Sequence, residues 1–452
     1  MNKDGRRGPS GLYLAYKLKT LFTDYTLEVY GKNEDIGGTW FENRYPGCEH
    51  MYTYYFVPKC NWPAIARVVG ANWDDVSSQW NVRVEDSKKE VFERRSDFLI
   101  NATSYLNSWR WPSMPGLGSF NGRLLHTANW DESLPLTGKR VGSSGKQLLP
   151  ELQKTYEEKQ TLRDNPRKLL QLRKDIEANY TTLLPLFLKD TVSQKAATQR
   201  SKNLITDAIK HPFRCRRLTP STDYLESLKK PNITPSGGIM LDGSEYAFDV
   251  LVCATGFQTS FRPVFSLTGC NGTNLAEVWE KQPRSYRGIA AHSFRNYFMV
   301  LGPNSPLANS PLLICIEAQG HYIAKFLNQW QKEDTCTFEP KLEAVDDFME
   351  QKDSFMKSTI WENDCQSWSK NANTGKVSGL WPGSGLSYIE ALAVQRFEDF
   401  HITYVTKNRF AYLGNGFSQR YLQPESDLTY YVRHEDNGES SAHLKRDSEP
   451  FI

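Results

Sequence analysis

Residues 8–30 read GPSGLYLAYKLKTLFTDYTLEVY and carry the fold signal from which the rest of the chain can be interpreted. The stretch opens on a glycine-rich turn at Gly8 and Gly11, and apolar side chains over residues 11–22 then recur at the spacing of a helix. Apolar and polar residues alternate over Tyr25–Tyr30, which is the pattern of a strand. A glycine turn, a helix and a strand are most of a βαβ unit, so the sequence predicts an α/β fold.

The glycine turn is an incomplete dinucleotide-binding fingerprint. In G-x-G-x-x-G the second and third glycines admit a pyrophosphate and allow close helix packing. Gly8 and Gly11 hold those positions, but Arg6 stands at the first. Gly31 stands where a ribose-binding carboxylate is expected, and Glu28 lies three residues earlier. The turn therefore predicts either a nucleotide site, served by the positive end of the helix, or a simple helix-opening turn.

A second glycine cluster at residues 141–145, VGSSG, repeats this pattern. Gly142 and Gly145 match the last two glycines of a fingerprint, and the first is again missing. The cluster is expected to open a helix that begins in QLLPELQK and to mark a second nucleotide-binding unit. A charged helical region follows from residue 151 to about 210. Strand-like runs are predicted at residues 80–84, 90–92, 98–100, 239–241, 249–253 and 295–302, and an amphipathic helix is predicted at residues 314–330.

Composition narrows the class of protein. The 452 residues predict two or three domains, and a net charge of +3 argues against a dedicated nucleic-acid binder. No apolar run is long enough to span a membrane, and the first residues carry no signal-peptide pattern. The eight cysteines are scattered, as expected of reduced thiols in a cytoplasmic protein. No His, Cys and carboxylate cluster has metal-ligand spacing.

The most specific pattern is Phe120-x-Gly122-x-x-x-His126-x-x-x-Trp130-Asp131. It resembles the fingerprint of the Baeyer–Villiger monooxygenases, flavoproteins that insert an oxygen atom next to a ketone. The resemblance implies that His126 positions the cofactors from a linker between two domains and is not a proton donor; a satisfied core histidine is the plainer interpretation. Trp130 favours this family over the flavin monooxygenases that hydroxylate nitrogen or sulfur, which remain the first alternative.

Further segments extend the resemblance over residues 8–420. Residues 35–47 are similar to the family's flavin-contacting loop, residues 254–257 to its ATG motif, and residues 302–306 and 409–416 to later segments. The likeness is greatest to fungal secondary-metabolism members of sterigmatocystin-type polyketide pathways, which make mycotoxins. The cofactor-binding residues implied by these segments and by the two glycine clusters are Gly8, Gly11, Gly38, Thr39, Trp40, Asn43, Tyr45, Gly142, Gly145 and Asn304.

Arg217 is the candidate catalytic residue. It lies in PFRCRRLTP, residues 212–220, which resembles the family segment that carries the active-site arginine. The resemblance implies an anionic oxygen nucleophile and an oxyanion, and a permanently charged guanidinium can stabilise both. The neighbouring Arg216 would bind the nicotinamide phosphate. A solvated basic run is the plainer interpretation of these arginines.

The resemblance implies an α/β protein with two Rossmann-like dinucleotide-binding domains that bind FAD and NADPH. The flavin domain comprises residues 1–135 and 250–420 and is split by a nicotinamide domain with a helical insertion at residues 136–249. Residues 421–452 form a polar tail. A small-molecule ketone and molecular oxygen are the expected partners.

Several family segments are missing from this sequence. They include the strand before Gly8, a stretch between Cys48 and Met51, and about thirty residues after Lys154. The first strand of a doubly wound sheet is buried, and losing it leaves backbone groups unpaired at about 1–3 kcal/mol each. The second alternative is therefore a catalytically inactive remnant or a misassembled gene model.

Overall fold

The computed structural model describes most, but not all, of the chain. The described residues are 8–33, 37–45, 66–103, 106, 108–109, 111–112, 117, 120–144, 164–205, 249–307, 311–363, 369–371, 374–422, 425–429 and 432.

These ranges contain both helices and strands, as the sequence predicts for an α/β protein. The helices are α1 (Pro9–Leu21), α2 (Thr39–Glu42), α3 (Pro166–Thr181), α4 (Leu184–Phe187), α5 (Val192–Ile205), α6 (Leu275–Val278), α7 (Leu312–Lys332), α8 (Leu342–Lys357) and α9 (Gly385–Ala393). The strands are β1 (Ala66–Asp74), β2 (Gln79–Asp86), β3 (Val91–Ser96), β4 (Leu99–Asn101), β5 (Arg123–His126), β6 (Val141–Ser144), β7 (Val250–Cys253), β8 (Ser266–Thr268), β9 (Tyr297–Met299), β10 (Thr335–Pro340) and β11 (Phe400–Tyr404).

Two parallel arrangements and two antiparallel ones make up the sheets. β4 pairs parallel with β9, and β5 and β6 pair parallel with β7, which lies between them. The order β3-β2-β1-β8 forms a mainly antiparallel sheet in which β8 joins β1 in parallel, and β10 pairs antiparallel with β11. The parallel pieces are the parts of the fold that can present a nucleotide site at their carboxyl ends.

The largest hydrophobic core lies around α7, between the β4–β9 pair and α1. Gly320 of α7 lets α1 approach closely, because a Cβ atom at Gly320 would lie 2.5 Å from Cε1 of Tyr13. Leu14, the residue after Tyr13, is buried in the same core. This close contact between α1 and α7 holds α1 beside the β4–β9 pair.

The predicted strand at Tyr25–Tyr30 is wrong, because residues 25–30 form neither helix nor strand in the structure. Gly31 alone bridges to Ala66. Two side chains of this stretch face the antiparallel sheet: Arg94 of β3 lies 3.5 Å from Glu28, and Tyr30 packs against the core of that sheet. Val29 packs against Leu12 and Ala15 of α1. A strand needs a neighbour for the hydrogen bonds of its backbone, and residues 25–30 pair with none of the described strands.

The glycine cluster at residues 141–145, which the sequence predicts to open a helix, is a strand where it is described. Val141–Ser144 form β6, with Val141 opposite Val250 and Ser144 opposite Cys253. Asp249 anchors this register by accepting bonds from the backbone and side chain of Arg140. Residues 145–163, with the expected helix start, lie outside the described part.

The other strand and helix predictions are confirmed where they are described. The runs at residues 80–84, 98–100 and 249–253 coincide with β2, β4 and β7. The helix predicted at 314–330 lies within α7, and the charged helical region contains α3 and α5.

Candidate functional site

Gly8 and Gly38 meet at the start of α1. A Cβ atom on Gly38 would lie 2.9 Å from the Cα atom of Gly8, closer than such atoms ordinarily approach. Gly38 also has φ 54° and ψ −124°, a conformation that an L side chain rarely adopts. Glycine is therefore required at position 38 for both reasons, and two positions predicted from separate motifs lie in contact.

The N-terminus of α1 has the features that a phosphate needs. Gly8 is its N-cap residue, Pro9 is at the first helical position, no side chain caps the helix, and its first turn contains no acidic residue. The backbone amides of Ser10 and Gly11 thus form the positive end of the helix dipole, and no carboxylate in the first turn competes with a ligand for them. An anion can bind to these amides.

The segment after Gly38, which contains α2, connects this turn to the segment that follows β4. The Thr39 hydroxyl donates a 2.9 Å hydrogen bond to the carbonyl of Leu106. Arg44 lies 3.2 Å from Glu132, just past the fingerprint. Asn43 and Tyr45 are partly buried in this loop, and the side chain of Trp40 lies outside the described part.

A cleft opens at the carboxyl ends of β4 and β9, which is where a parallel sheet binds its ligands. Asn101 and Thr103 line it from the β4 side, and Gly302 and Pro303 line it from the β9 side. The Val300 amide closes the base of the cleft with a 2.9 Å bond to the carbonyl of Asn101.

Phe120 and Gly122 form a packed pair that explains the start of the fingerprint. A Cβ atom at Gly122 would lie 2.5 Å from Cζ of Phe120 and 2.7 Å from the carbonyl oxygen of Asp249. That carbonyl also accepts a 3.0 Å bond from the Arg123 amide at the start of β5. The phenyl ring and the strand pairing both require glycine at position 122.

His126 is a fully satisfied, neutral imidazole. It is 1% exposed, and its Nδ1 accepts a 3.1 Å bond from the Ala128 amide. Because Nδ1 accepts, the proton is on Nε2, which lies 3.3 Å from the Thr255 hydroxyl. Burial lowers the pKa of His126, which favours this neutral form.

Two tryptophans enclose the His126 ring. Trp109 stacks on it at a centroid distance of 4.6 Å and 22°, and Trp111 meets it edge-on at 5.8 Å. Trp109 also bridges to Phe257, directly after the ATG motif. The fingerprint thus joins the segment after β4 to the segment after β7. The site residues predicted from the sequence did not include Trp109. The signal in the sequence that could have pointed to it is its position between β4 and the fingerprint.

Trp130 packs beside this junction and does not enter it. Its side chain is partly buried against Leu125, Val250 and Val252 of the β5–β7 pair. Asp131 accepts bonds from the amide and hydroxyl of Ser133 in the following turn. The second half of the fingerprint therefore fixes how the chain leaves β5.

Asn304 lies below the cleft. Its side chain is 0% exposed, and its Nδ2 lies 3.4 Å from both the Ser285 hydroxyl and the Met349 sulfur. The Oδ1 atom has no hydrogen-bond partner among the described residues. The amide side chain thus faces the core, while Gly302 and Pro303 of the same loop reach the cleft.

Known proteins resemble this chain along most of its length. The family model described as NAD(P)-binding Rossmann-like domain matches residues 7–65. The FAD-binding monooxygenase stcW of Emericella nidulans is 30% identical over 91% of this chain and 84% of its own length. The FAD-binding monooxygenase tazF of Aspergillus terreus is 31% identical over 94% of this chain and 93% of its own length. The chain belongs to the FAD-binding monooxygenases.

The fold of this FAD-binding monooxygenase is also that of a solved structure. The cyclohexanone monooxygenase from Rhodococcus sp. Phi1, bound to NADP+, superposes with a TM-score of 0.72 over 89% of this chain and 99% of that chain. Sequence identity is 22%, so the likeness concerns the fold. It confirms the predicted α/β class with Rossmann-like units.

The relatives contain segments that this FAD-binding monooxygenase lacks. The alignments with stcW and tazF run over 506 and 524 positions, more than the 452 residues of the chain. This difference agrees with the family segments expected to be missing. Among the described helices, none combines the length and apolar character needed to cross a bilayer.

Of the remaining predicted site residues of this FAD-binding monooxygenase, two lie in described elements and three lie outside the described part of the chain. Gly142 lies inside β6, and Gly145, Arg216 and Arg217 lie outside the described residues. Gly11, on α1, is partly buried next to the contact between Gly8 and Gly38. The roles of these residues stay predictions.

Proposed function

We propose that the protein uses FAD, NADPH and molecular oxygen to convert a ketone into an ester or lactone, the Baeyer–Villiger reaction. In the balanced reaction one oxygen atom enters a carbon–carbon bond next to the carbonyl, and the second leaves as water. NADPH and a proton provide the reducing equivalents. The fungal relatives favour a polyketide-type ketone as the substrate class.

The junction around His126 carries this proposal. Its imidazole is stacked on Trp109 and lies within hydrogen-bond distance of Thr255, so a single side chain connects the segments that follow β4 and β7. β7 pairs with β5 on one side and with β6 on the other. The arrangement supports a linker between a flavin domain (1–135 and 250–420) and a nicotinamide domain (136–249), with residues 421–452 as a tail.

The residues at the start of α1 fit the pyrophosphate of FAD. Gly8 and Gly38 leave room for a close backbone approach, and the uncapped first turn offers amides to a phosphate. Gly31 supplies no carboxylate for the ribose, and Glu28 already pairs with Arg94. When bound, FAD would activate oxygen after NADPH reduces it.

We propose that Arg217 and Arg216 each stabilise a negatively charged group. Arg217 would hold its guanidinium at the oxyanion that develops on the substrate, because arginine stays charged and presents several donors. Arg216 would bind the phosphate of NADPH. Neutral His126, with both ring nitrogens engaged, would orient the linker and would not transfer a proton in the reaction.

Purification of the full chain followed by spectroscopy and turnover tests this proposal. We expect a flavin absorbance band near ~450 nm, NADPH oxidation, and ester or lactone formed from cyclic or polyketide ketones. Turnover of amines or sulfides without ketone oxidation would favour the hydroxylating alternative. A colourless protein that does not oxidise NADPH after incubation with FAD would identify an inactive remnant.

A further inference from the structure

The loop from Leu301 to Ser305 is buried and conformationally strained. Leu301 is 3% exposed, and both Asn304 and Ser305 are 0% exposed. Leu301 and Asn304 have φ values of 59° and 65°, which non-glycine residues rarely adopt. Such a conformation is unfavourable for a residue with a side chain and persists only where the surroundings impose it.

Gln319 of α7 forms hydrogen bonds with both ends of this loop. Its Oε1 accepts a 2.8 Å bond from the Leu301 amide, and its Nε2 donates a 3.1 Å bond to the Ser305 hydroxyl. Nε2 also donates a 2.6 Å bond to the hydroxyl of Tyr388. The Gln319 side chain is 0% exposed, so these bonds are shielded from water.

Other contacts hold single points of the loop. The backbone N–H of Asn304 donates a 3.0 Å bond to the Ser378 carbonyl, and the Ser285 hydroxyl donates a 2.8 Å bond to the Pro303 carbonyl. Neither bond joins one end of the loop to the other. Gln319 does, and the two residues between its anchor points that reach the cleft are Gly302 and Pro303.

We propose that Gln319 is a positioning residue that sets the Leu301–Ser305 loop so that Gly302 and Pro303 form one wall of the flavin site. The inference rests on the proposed function, since the cleft is taken to receive FAD. Gln319 is too deeply buried to contact a ligand in the cleft itself. It acts through the backbone that it holds.

Replacement of Gln319 by methionine tests this role, because methionine keeps the length of the side chain and removes all three hydrogen bonds. Tyr388→Phe removes one partner of Gln319 and leaves both loop bonds in place. Gln395→Met is the matched control. Gln395 donates a 2.7 Å bond to the carbonyl of Tyr322, which lies on α7 like Gln319, and it has no bond to the loop. The readouts are amide hydrogen exchange of residues 297–307 and the dissociation constant for FAD, measured by flavin fluorescence on the full chain.

Gln319→Met is expected to speed exchange in the loop and to weaken FAD binding by about tenfold, the effect of losing one to two net hydrogen bonds. Tyr388→Phe and Gln395→Met should change FAD binding by less than about twofold even where they lower the melting temperature. If Gln319→Met fails to fold, Ser305→Ala removes one end bond and should produce a smaller loss of the same kind.

Two outcomes overturn the inference, and they can be told apart. If wild type binds FAD and Gln319→Met binds it equally well, or loses no more affinity than Tyr388→Phe at equal stability, Gln319 has only a structural role. If wild type binds no FAD, the proposed function fails along with the cofactor part of this inference. The hydrogen-exchange data then show whether the fastening of the loop itself stands.

Discussion

The imidazole of His126 lies 4.6 Å from the indole of Trp109, nearly parallel to it, and both ring nitrogens are within hydrogen-bond distance of neighbouring groups. The contact joins Trp109, which follows β4, to His126, which ends β5 and lies 3.3 Å from Thr255 after β7. A stacked and hydrogen-bonded ring has a single orientation, so the two strand ends are held in a fixed relation. This rigidity suits a linker between two nucleotide-binding units better than a group that exchanges protons.

Replacement of His126 by phenylalanine should retain the stacking and lose both hydrogen bonds. The buried Ala128 amide would lose its partner, and we expect a loss of about 1–3 kcal/mol in the free energy of unfolding. Urea denaturation of the full chain measures the change. Trp109→Phe, which keeps an aromatic ring and both bonds to His126, serves as the control and should cost less. Equal stability of wild type and His126→Phe would contradict the described bonding.

The stability of the protein should fall as the pH is lowered, in part because of His126. Burial lowers the pKa of this histidine in the folded state below its usual value of 6.5, so the unfolded chain takes up the proton first. Its contribution is complete above about pH 6.5 and is lost toward lower pH, at up to about 1.4 kcal/mol per pH unit. Urea titrations between pH 7 and pH 5 measure this slope.

His126→Phe should show a shallower decline over the same range. The pKa of His321 is also lowered, by burial and then by Lys17 and Lys325, so a part of the slope should remain in that variant. His321→Phe is the matched control and should remove the complementary part. Parallel curves for wild type and His126→Phe would mean that His126 is not buried as a neutral group.

The fold could be predicted from the sequence to the extent that local patterns dictate it. The amphipathic pattern at residues 11–22 predicts the helix α1, and the apolar run at 249–253 predicts β7, which has a partner strand on each side. The alternation at Tyr25–Tyr30 does not correspond to a strand, because a strand forms only beside a partner, and partners are set by the whole sheet. Val141–Ser144 shows the converse, since its glycine resembles a turn signal and pairing with β7 overrides it.

Parts of the candidate site were predictable for a different reason. Gly38 and Gly122 stand where a side chain would collide with backbone or ring atoms, and a fixed motif records such requirements. The roles of Trp109 and Gln319 were not predictable, because each depends on which side chains and loops the fold brings against it. A single sequence gives no sign of which buried glutamine meets which loop.

Gly38→Ala should destabilise the start of α1 and abolish FAD binding. The added methyl group would lie 2.9 Å from the Gly8 Cα atom, and the backbone at position 38 is unfavourable for alanine. We expect a loss of about 1–3 kcal/mol in stability and no flavin absorbance after purification. Gly138→Ala is the matched control, because φ there is +74° with no atom within 4 Å of the added methyl. Flavin retained by Gly38→Ala at wild-type occupancy would place the cofactor elsewhere.

Arg217→Ala should separate the use of NADPH from the oxidation of the ketone. If the guanidinium stabilises the oxyanion on the substrate, its removal leaves NADPH oxidation intact and diverts oxygen to hydrogen peroxide, with ester formation reduced by about 10²-fold or more. Arg217→Lys retains a charge without the planar fork of donors and should recover only part of the activity. The ratio of ester formed to NADPH consumed, with hydrogen peroxide measured in the same samples, tests this directly. Normal ketone oxidation by Arg217→Ala would remove Arg217 from the reaction, and parallel loss of NADPH oxidation and ester would assign it to cofactor binding instead.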